Sequence, residues 1–253
     1  DENLSASGPQ HAGRGGTSHN ISFTNNIVAE ALRRASHAEG GHSKGTLIHD
    51  HVTQVAIIGN LYAHNSDRNP YFKPDATGVV INNVIYNPGQ VAILLGSVPR
   101  EYGGRMDELR RARVSVVGNV LVRGRNSPFY LALVSGAGDV YLEDNLALKR
   151  NGKPAALTLR RLSVSDTKPI WIQEVDVLPA AEVLGFVLSN AGARPWDRDA
   201  VDERIIQSVR DGVGRIIDSQ EEVGGYPDDA PTYRELDVPE TDVKSWLASD
   251  RKS

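Results

Sequence analysis

The sequence contains no cysteine, one methionine and few aromatic residues, and its apolar runs are short. Without cysteine there are no disulfides, no thiolate metal ligands and no cysteine nucleophile. No window reaches about 18 uninterrupted apolar residues, which excludes a transmembrane helix, so we expect no membrane partner. A formal net charge of −4 argues against a nucleic-acid binder. With 253 residues, 40% of them apolar, the chain can still bury a sizeable core.

A repeat built on asparagine organises the first part of the chain. Five short segments end on an asparagine, and each has an apolar residue three positions before it and one position after it. The flanks are rich in Val and Ile with period-two alternation, a pattern typical of strands. The asparagines are Asn26, Asn60, Asn83, Asn119 and Asn145, at intervals of 34, 23, 36 and 26 residues. Each interval is long enough for one coil of a solenoid.

These repeats predict an all-β fold, a right-handed parallel β-helix with a C-terminal helical and loop extension. Hairpin geometry does not require asparagines in register, whereas the tight bend between two sheets of a β-helix does. Asparagine tolerates the left-handed backbone at such a bend, and stacked side-chain amides then bond from coil to coil. The variable remainder of each interval is expected to form loops on one face. A β-sandwich with asparagine turns is the alternative.

The repeat fades before the last hundred residues, where the pattern changes from strands to helices. The predicted elements are a last strand region with a Pro-containing loop (151–178), helices over Pro179–Asn190 and Asp197–Arg210, and a polar tail from about Asp228. We therefore assign residues 1–178 to the coils and residues 179–253 to helices and a tail that pack on the solenoid. The helices are expected to close its open end, which otherwise exposes core and strand edges.

Three cations lie where loops and strands of neighbouring coils are expected to meet. Arg68 and Lys73 flank a rigid proline in the run DRNPYFK, an arrangement suited to clamping a carboxylate. Lys44 comes just before a strand one coil earlier. Equivalent positions on neighbouring coils lie roughly 4.8 Å apart, so we expect the three cations to converge on one groove. By contrast, the charged run from Arg100 to Arg113 reads as a solvated helix or loop.

In combination these segments resemble the pectate lyase superfamily, polysaccharide lyase family 1, over about residues 1–227. The family's Arg-x-Pro-x-x-Arg motif matches RNPYFK, with Arg68 at its first position and Lys73 in place of the second arginine. Lys44 matches the lysine of a Lys-x-x-Leu-Ile-like run. DENLS resembles an Asp-x-x-Leu-Asp calcium motif in which Asp1 fits the first position and Ser5 replaces the second Asp. The late stretches that begin RPWD and GRIID also resemble the end of bacterial members.

The resemblance implies an enzyme that cleaves a polyuronate, such as polygalacturonate, by β-elimination with Ca²⁺ as cofactor. Arg68 would be the catalytic base, Lys44 and Lys73 would bind substrate carboxylates, and Asp1 would be the calcium ligand. A guanidinium can take a proton only if its neighbourhood or a high pH lowers its charge. An acidic polysaccharide partner implies a secreted, extracellular protein. The resemblance also implies coils before Asp1, so we expect a missing N-terminal portion or self-association at the exposed first coil.

Two other functions remain open at this point. A non-catalytic β-helix that binds polysaccharide is favoured by Lys73 and Ser5, which replace family residues. A β-helical hydrolase would need paired carboxylates at its cleft, and Asp50, Asp67 and Asp75 are the candidates. An unsaturated product would separate a lyase from a hydrolase, and binding without product would indicate the non-catalytic protein.

A zinc site is a weaker hypothesis. His49 and His51, at positions i and i+2 of a predicted strand, share one face and could both bind zinc. No third ligand is fixed by spacing, although His37, His42 and His64 are near in sequence. Ordinary polar contacts are therefore the expectation for this pair.

Overall fold

The computed structural model describes residues 2–35, 37, 40–103, 109–160, 162–227 and 242–250. The chain passes in turn through three parallel sheets, and each strand pairs with the equivalent strand of the next coil. Apolar side chains of the three sheets face one another and fill the interior. The fold is therefore a parallel β-helix, as the asparagine repeat predicted.

The strands are numbered in chain order. Sheet 1 contains β1 (Glu2–Ala6), β4 (Lys44–Ile48), β7 (Tyr71–Phe72), β10 (Ile93–Leu95), β13 (Val134–Gly136) and β16 (Thr158–Arg160). Sheet 2 contains β2 (His19–Thr24), β5 (Thr53–Ile58), β8 (Thr77–Ile81), β11 (Arg113–Val117), β14 (Asp139–Glu143) and β17 (Ser163–Ser165). Sheet 3 contains β3 (Ile27–Ala29), β6 (Leu61–Ala63), β9 (Val84–Tyr86), β12 (Val120–Val122) and β15 (Leu146–Leu148).

The described helices are α1 (Gly13–Gly16), α2 (Ala180–Asn190), α3 (Ala200–Arg210) and α4 (Val243–Asp250). Short 3₁₀ turns occupy Gln10–Ala12, Pro99–Tyr102 and Gln220–Val223. None of the helices in the described ranges is long and apolar enough to cross a membrane. Residues 228–241 lie outside the description, so most of the predicted polar tail stays a prediction.

The repeated asparagines lie at the bend between sheets 2 and 3 and stack along the solenoid. Asn60 Nδ2 donates to Asn83 Oδ1 at 2.9 Å, and Asn83 Nδ2 donates to Asn119 Oδ1 at 2.9 Å. The same two oxygens accept the backbone N–H of the preceding asparagine, at 2.9 and 3.0 Å. Asn26 and Asn145 complete the ladder at its ends, with amide contacts of 2.8 and 3.1 Å. The predicted coil-to-coil bonding is present.

The left-handed backbone of the bend lies one residue earlier than predicted. The residues with positive φ, between 44° and 68°, are Asn25, Gly59, Asn82, Gly118 and Asp144. These residue types tolerate that conformation. The side-chain amides of Asn60, Asn83, Asn119 and Asn145 each donate to the carbonyl two residues earlier, across the left-handed residue, as Asn83 Nδ2 does to Ile81 O at 3.0 Å. One residue therefore makes the turn and the next supports it, so the prediction that the ladder asparagine does both was wrong.

The interior is built from the apolar position three residues before each asparagine. Ile57, Val80 and Val116 are paired in register across three coils, and none of them is exposed to solvent. Phe23 and Leu142 continue the same row at the first and later coils and are only partly buried. The missing N-terminal portion or self-association expected at the first coil stays a prediction.

The C-terminal segments cover the outer faces of two sheets. Val183 and Val187 of α2 and Ile206 of α3 pack with outward-facing residues of β6, β9 and β12 in sheet 3. The segment around Trp171 covers the outer face of sheet 2 without forming a strand. The helices thus lie along the side of the solenoid, because their apolar stripes match the apolar outer face of sheet 3. The expectation that they close its end was wrong, and the outer face of sheet 1 carries the cleft described next.

Candidate active-site cleft

A cleft runs along the outer face of sheet 1. One part, of about 360 Å³, is lined by Glu2, His37, His42, Leu47, His49, Arg68, Tyr71, Lys73, Val98 and Glu101. A second part, of about 600 Å³, shares Arg68, Tyr71 and Val98 and continues to Leu94, Leu95, Gly136 and Ala137. The two parts follow the stacking direction from β4 to β13. A chain-like ligand laid along the solenoid would therefore pass over Arg68 and Tyr71.

Arg68 lies in the bend before β7, where its backbone is left-handed (φ 61°). Its backbone N–H donates to Asp67 Oδ1 at 2.6 Å. The guanidinium forms an ion pair with Glu2, and its carbon lies 5.8 Å from the centre of the Tyr71 ring. Burial lowers the pKa of Arg68 from its usual value, although Tyr71 and Glu101 act in the opposite direction. Its Nε is buried and has no hydrogen-bond partner in the described part of the chain.

Lys73 follows β7 and is almost completely buried at the edge of the cleft. Its Nζ lies 3.3 Å from Asp50 Oδ2, and it also forms an ion pair with Glu101. Tyr102 donates a short hydrogen bond to Asp50 from its hydroxyl group. Two carboxylates therefore compensate the charge of Lys73.

Glu101 and Tyr102 belong to the charged run that the sequence assigned to a solvated helix or loop. The 3₁₀ turn Pro99–Tyr102 instead brings them to Lys73 and Asp50. The prediction of a solvated turn is confirmed for the exposed Arg100 and Glu101 and was wrong for Tyr102, which is buried because its partner Asp50 lies two coils away.

Lys44 does not line the cleft. Its Nζ lies 3.0 Å from Asp67 Oδ2, and the two side chains are only 15% and 14% exposed. This ion pair links β4 to the bend that precedes β7. The structure thus brings Arg68 and Lys73 to one cleft and pairs Lys44 with Asp67, the residue before Arg68, so the expected convergence of all three cations was wrong for Lys44.

The carboxylates considered for a hydrolase are each tied to a cation. Asp50 contacts Lys73 and Asp67 contacts Lys44, while Asp75 forms an ion pair with Arg14. Burial is the largest influence on Asp75 and raises its pKa, but hydrogen bonds from Arg14 and His51 outweigh it and leave the pKa below its usual value. Each of the three carboxylates is thus engaged by a different cation, and the hydrolase stays an alternative prediction.

His49 and His51 have different surroundings. The Nδ1 of His51 lies 3.1 Å from Asp75 Oδ2. His49 lines the cleft beside Lys73, which is its neighbour on the adjacent coil. Burial, with a smaller contribution from Lys73, lowers the pKa of His49. His51 therefore makes the ordinary polar contact that was expected for this pair. His49 is a neutral polar group that lines the cleft.

The calcium hypothesis depends on residues that the structure does not place. Asp1 lies outside the described residues. Within those residues, no three or more carboxylate or imidazole side chains come together to hold a metal ion. Ser5 is exposed on β1, and Glu2 is occupied by Arg68. The described residues alone thus do not assemble a calcium site, and calcium ligation by Asp1 stays a prediction.

Sequence reasoning missed several side chains of the cleft. Tyr71 lies inside the same RNPYFK run as Arg68, so its alternation with Lys73 could have shown that both face outward. Glu2 and Glu101 could not have been found in this way, because they reach Arg68 and Lys73 from distant parts of the sequence. Only the coil stacking brings these carboxylates to their cations.

Comparisons with known proteins add a likeness in fold. No protein-family model and no curated protein matches the sequence. Among solved structures, the chain is similar to the thermostable pectate lyase PL 47, with 15% sequence identity and a TM-score of 0.45. The match covers 72% of this chain and 46% of that one, so the chain spans less than half of that structure. At this identity the likeness concerns the fold alone.

Proposed function

We propose that the protein is a polysaccharide lyase that cleaves a polyuronate by β-elimination. The observation that supports this most directly is the position of Arg68. Its guanidinium is mostly buried, reaches an elongated cleft and has its pKa lowered by burial. A base that removes a proton beside a carboxylate must sit where substrate passes and must be able to lose its own charge.

The chemistry can be assigned to residues of the cleft. A neutral Arg68 would take the C5 proton of a uronate, and the C–H electrons would form the C4=C5 double bond. The C4–O4 bond would break with its electron pair on O4, which takes a proton from solvent. Lys73 would hold a substrate carboxylate in place of Glu101, which is 36% exposed, while the buried Asp50 stays in place.

The ion pair with Glu2 determines the pH dependence of this proposal. A neighbouring carboxylate favours the charged guanidinium, so substrate must displace Glu2 before Arg68 can act as a base. Activity should therefore rise with pH, because the fraction of neutral Arg68 increases as the pH approaches the lowered pKa of this residue. A Glu2→Gln variant should reach its maximum activity at a lower pH than the wild type.

The test is the ultraviolet absorbance of the 4,5-unsaturated product. Polygalacturonate and other uronans would be incubated with the chain, with and without Ca²⁺, over neutral to alkaline pH. Arg68→Ala should lower the rate by about 10²–10⁴-fold, as expected for loss of a general base. Arg33→Ala, which removes a surface arginine that pairs with Asp218, is the matched control and should retain activity. A wild-type protein that produces no absorbance on any uronan would contradict the lyase proposal.

A non-catalytic polysaccharide-binding protein is the second candidate. The observation that favours it is that all three predicted cations already have carboxylate partners. If these pairs persist when substrate binds, Arg68 stays charged and no proton is removed. Retention of the protein by immobilised polygalacturonate without any unsaturated product would support this candidate.

The remaining parts of the proposal depend on the resemblance and on this chemistry. An extended acidic polysaccharide is the proposed partner, and an extracellular location follows from such a substrate. Calcium bound through Asp1 is proposed as an additional source of positive charge for the substrate carboxylate. Calcium dependence of product formation would support this, and equal rates with calcium and with a chelator would contradict it.

A further inference from the structure

Two neighbouring aromatic rings stand in solvent on the loop between β12 and β13. Phe129 is 88% exposed and Tyr130 is 52% exposed. Their centroids lie 5.4 Å apart with an interplanar angle of 84°, an edge-to-face arrangement. Single exposed apolar residues are common on proteins, but a preformed aromatic pair offers rigid apolar area at low cost in conformational entropy.

The backbone that carries the pair is held from below by a buried arginine. Arg123 is only 6% exposed, and its Nη1 donates to Phe129 O at 2.6 Å. Its Nη2 donates a short hydrogen bond to Leu131 O. Ser127 Oγ donates to Pro88 O at 2.7 Å and ties the same loop to the preceding coil. The loop is therefore fixed in the conformation that exposes both rings, so little ordering is needed when a ligand binds.

The register of sheet 1 places this loop on the same side as Arg68. The backbone N–H of Asn69, next to Arg68, donates to Ala92 O at 3.0 Å, and Ile93 N–H donates to Leu133 O at 2.9 Å. Leu133 follows Phe129 closely in the chain, just before β13. The loop that carries the aromatic pair thus enters sheet 1 two coils beyond Arg68, or about 10 Å along the axis at one strand spacing per coil.

We propose that Phe129 and Tyr130 form a sugar-stacking site that extends the cleft and binds further residues of the acidic polysaccharide. The apolar C–H face of a sugar ring packs on an aromatic ring, and the exposed Arg125 on the same loop adds a cation for a uronate carboxylate. The second part of the cleft already runs from Arg68 to Gly136 at the end of β13. The choice of an acidic polymer depends on the proposed function, whereas the stacking site itself does not require catalysis.

The experiment compares a short and a long uronan ligand. Affinities for trigalacturonate and for polygalacturonate would be measured by calorimetry at mildly acidic pH, where a charged Arg68 suppresses cleavage. Phe129→Ala should weaken binding of the polymer by about fivefold to tenfold, a range typical of one aromatic contact. Binding of trigalacturonate should change little, because the cleft alone can hold it. Trp196→Ala removes another exposed ring, between α2 and α3, and is the matched control.

The outcomes separate the two proposals. Equal polymer affinities for the wild type and Phe129→Ala, or an equal loss with both ligands, would overturn the stacking site. Weaker polymer binding in Phe129→Ala together with no unsaturated product from the wild type would support the stacking site and refute the lyase. Product formation by the wild type, together with an unchanged polymer affinity in Phe129→Ala, would support the lyase and refute the stacking site. A wild type that neither binds nor cleaves the polymer would refute both.

Discussion

Acidification should destabilise the fold through His64. This side chain is fully buried after β6, where Asn87 Nδ2 donates to its Nδ1 at 2.9 Å. Its Nε2 lies 2.9 Å from Ser208 Oγ, which donates to Ile205 O at 2.7 Å. Asn87 cannot turn its amide around, because its Oδ1 accepts the backbone N–H of Asn126 at 2.7 Å. The imidazole is therefore neutral with its proton on Nε2, and it joins the solenoid to α3.

The magnitude follows from the cost of a second proton on the ring. Protonated Nδ1 would place an N–H against the Asn87 amide in a site without solvent. Burial lowers the pKa of His64 to about 4, while Glu30 raises it and Arg204 lowers it to smaller extents. An unfolded histidine has a pKa of about 6.5, so the unfolded chain takes up the proton first. Stability is therefore fully present above about pH 6.5 and lost as the pH falls toward 4, by about 3 kcal/mol.

Urea unfolding at a series of pH values between 7 and 4 would measure this loss. His64→Gln lowers the free energy of unfolding at pH 7 by removing a fitted hydrogen-bonding group, but it also removes the titration. The difference between wild type and variant should therefore narrow by about 3 kcal/mol on acidification. His11→Gln, at an exposed position on a 3₁₀ turn, controls for the loss of one histidine. Wild-type and His64→Gln curves that stay parallel between pH 7 and 4 would refute the reasoning.

Two further predictions concern buried polar groups. Asn83→Ala in the middle of the ladder should lower the free energy of unfolding by about 3–5 kcal/mol, because it orphans buried donors and acceptors. Asn145→Ala at the partly exposed end should cost only about 1 kcal/mol, and equal losses in thermal melts would contradict the ladder's role. Lys73→Met should cost about 3–5 kcal/mol, because it breaks the buried ion pair between Lys73 and Asp50. Adding Asp50→Asn should recover part of this loss in chemical denaturation, and a purely additive double variant would argue against the pair.

The fold could be predicted from the sequence because each repeat carries, at a fixed spacing, two residues that the β-helix requires. One is an interior apolar residue, such as Val80, and the other is the amide of the following asparagine that satisfies the bend. The turn residue was misassigned because Asn82, Gly118 and their equivalents have no common side chain. Glycine and asparagine both tolerate positive φ, so this position leaves no single-letter signature.

The surface on which α2 and α3 pack could not be predicted from the sequences of these helices alone. The apolar stripe of α2 predicts that the helix packs on something, but it does not name the surface. Val84 and Val120 face outward on sheet 3 and supply that surface. In the sequence these residues only continue the strand pattern after each asparagine. A strand that is apolar on both faces indicates that another element covers its outer side, so these residues together with the helix stripes predict the packing.

In the candidate site, too, residues of one short motif could be predicted from the sequence, whereas their partners from other coils could not. Arg68 and Lys73 were found because one short motif carries both, and the structure places them on one cleft. The motif does not show that both cations are paired with carboxylates, so a substrate carboxylate must replace one of these partners to bind. The partners differ in how easily a substrate could replace them. Asp50 is 1% exposed and fixed by Tyr102, whereas Glu101 is 36% exposed on a short turn.

This difference determines what separates a lyase from a binding protein on this scaffold. A substrate carboxylate that replaces Glu101 keeps the local charge unchanged, so binding at Lys73 requires no further change in protonation. Replacing Glu2 at Arg68 is more demanding, because catalysis needs the guanidinium to lose its proton once Glu2 has left. Under the lyase proposal, binding would therefore depend mainly on the exposed partner of Lys73, and proton removal would depend on the partner of Arg68. Comparing Glu101→Gln with Glu2→Gln would accordingly separate substrate affinity from the pH dependence of cleavage.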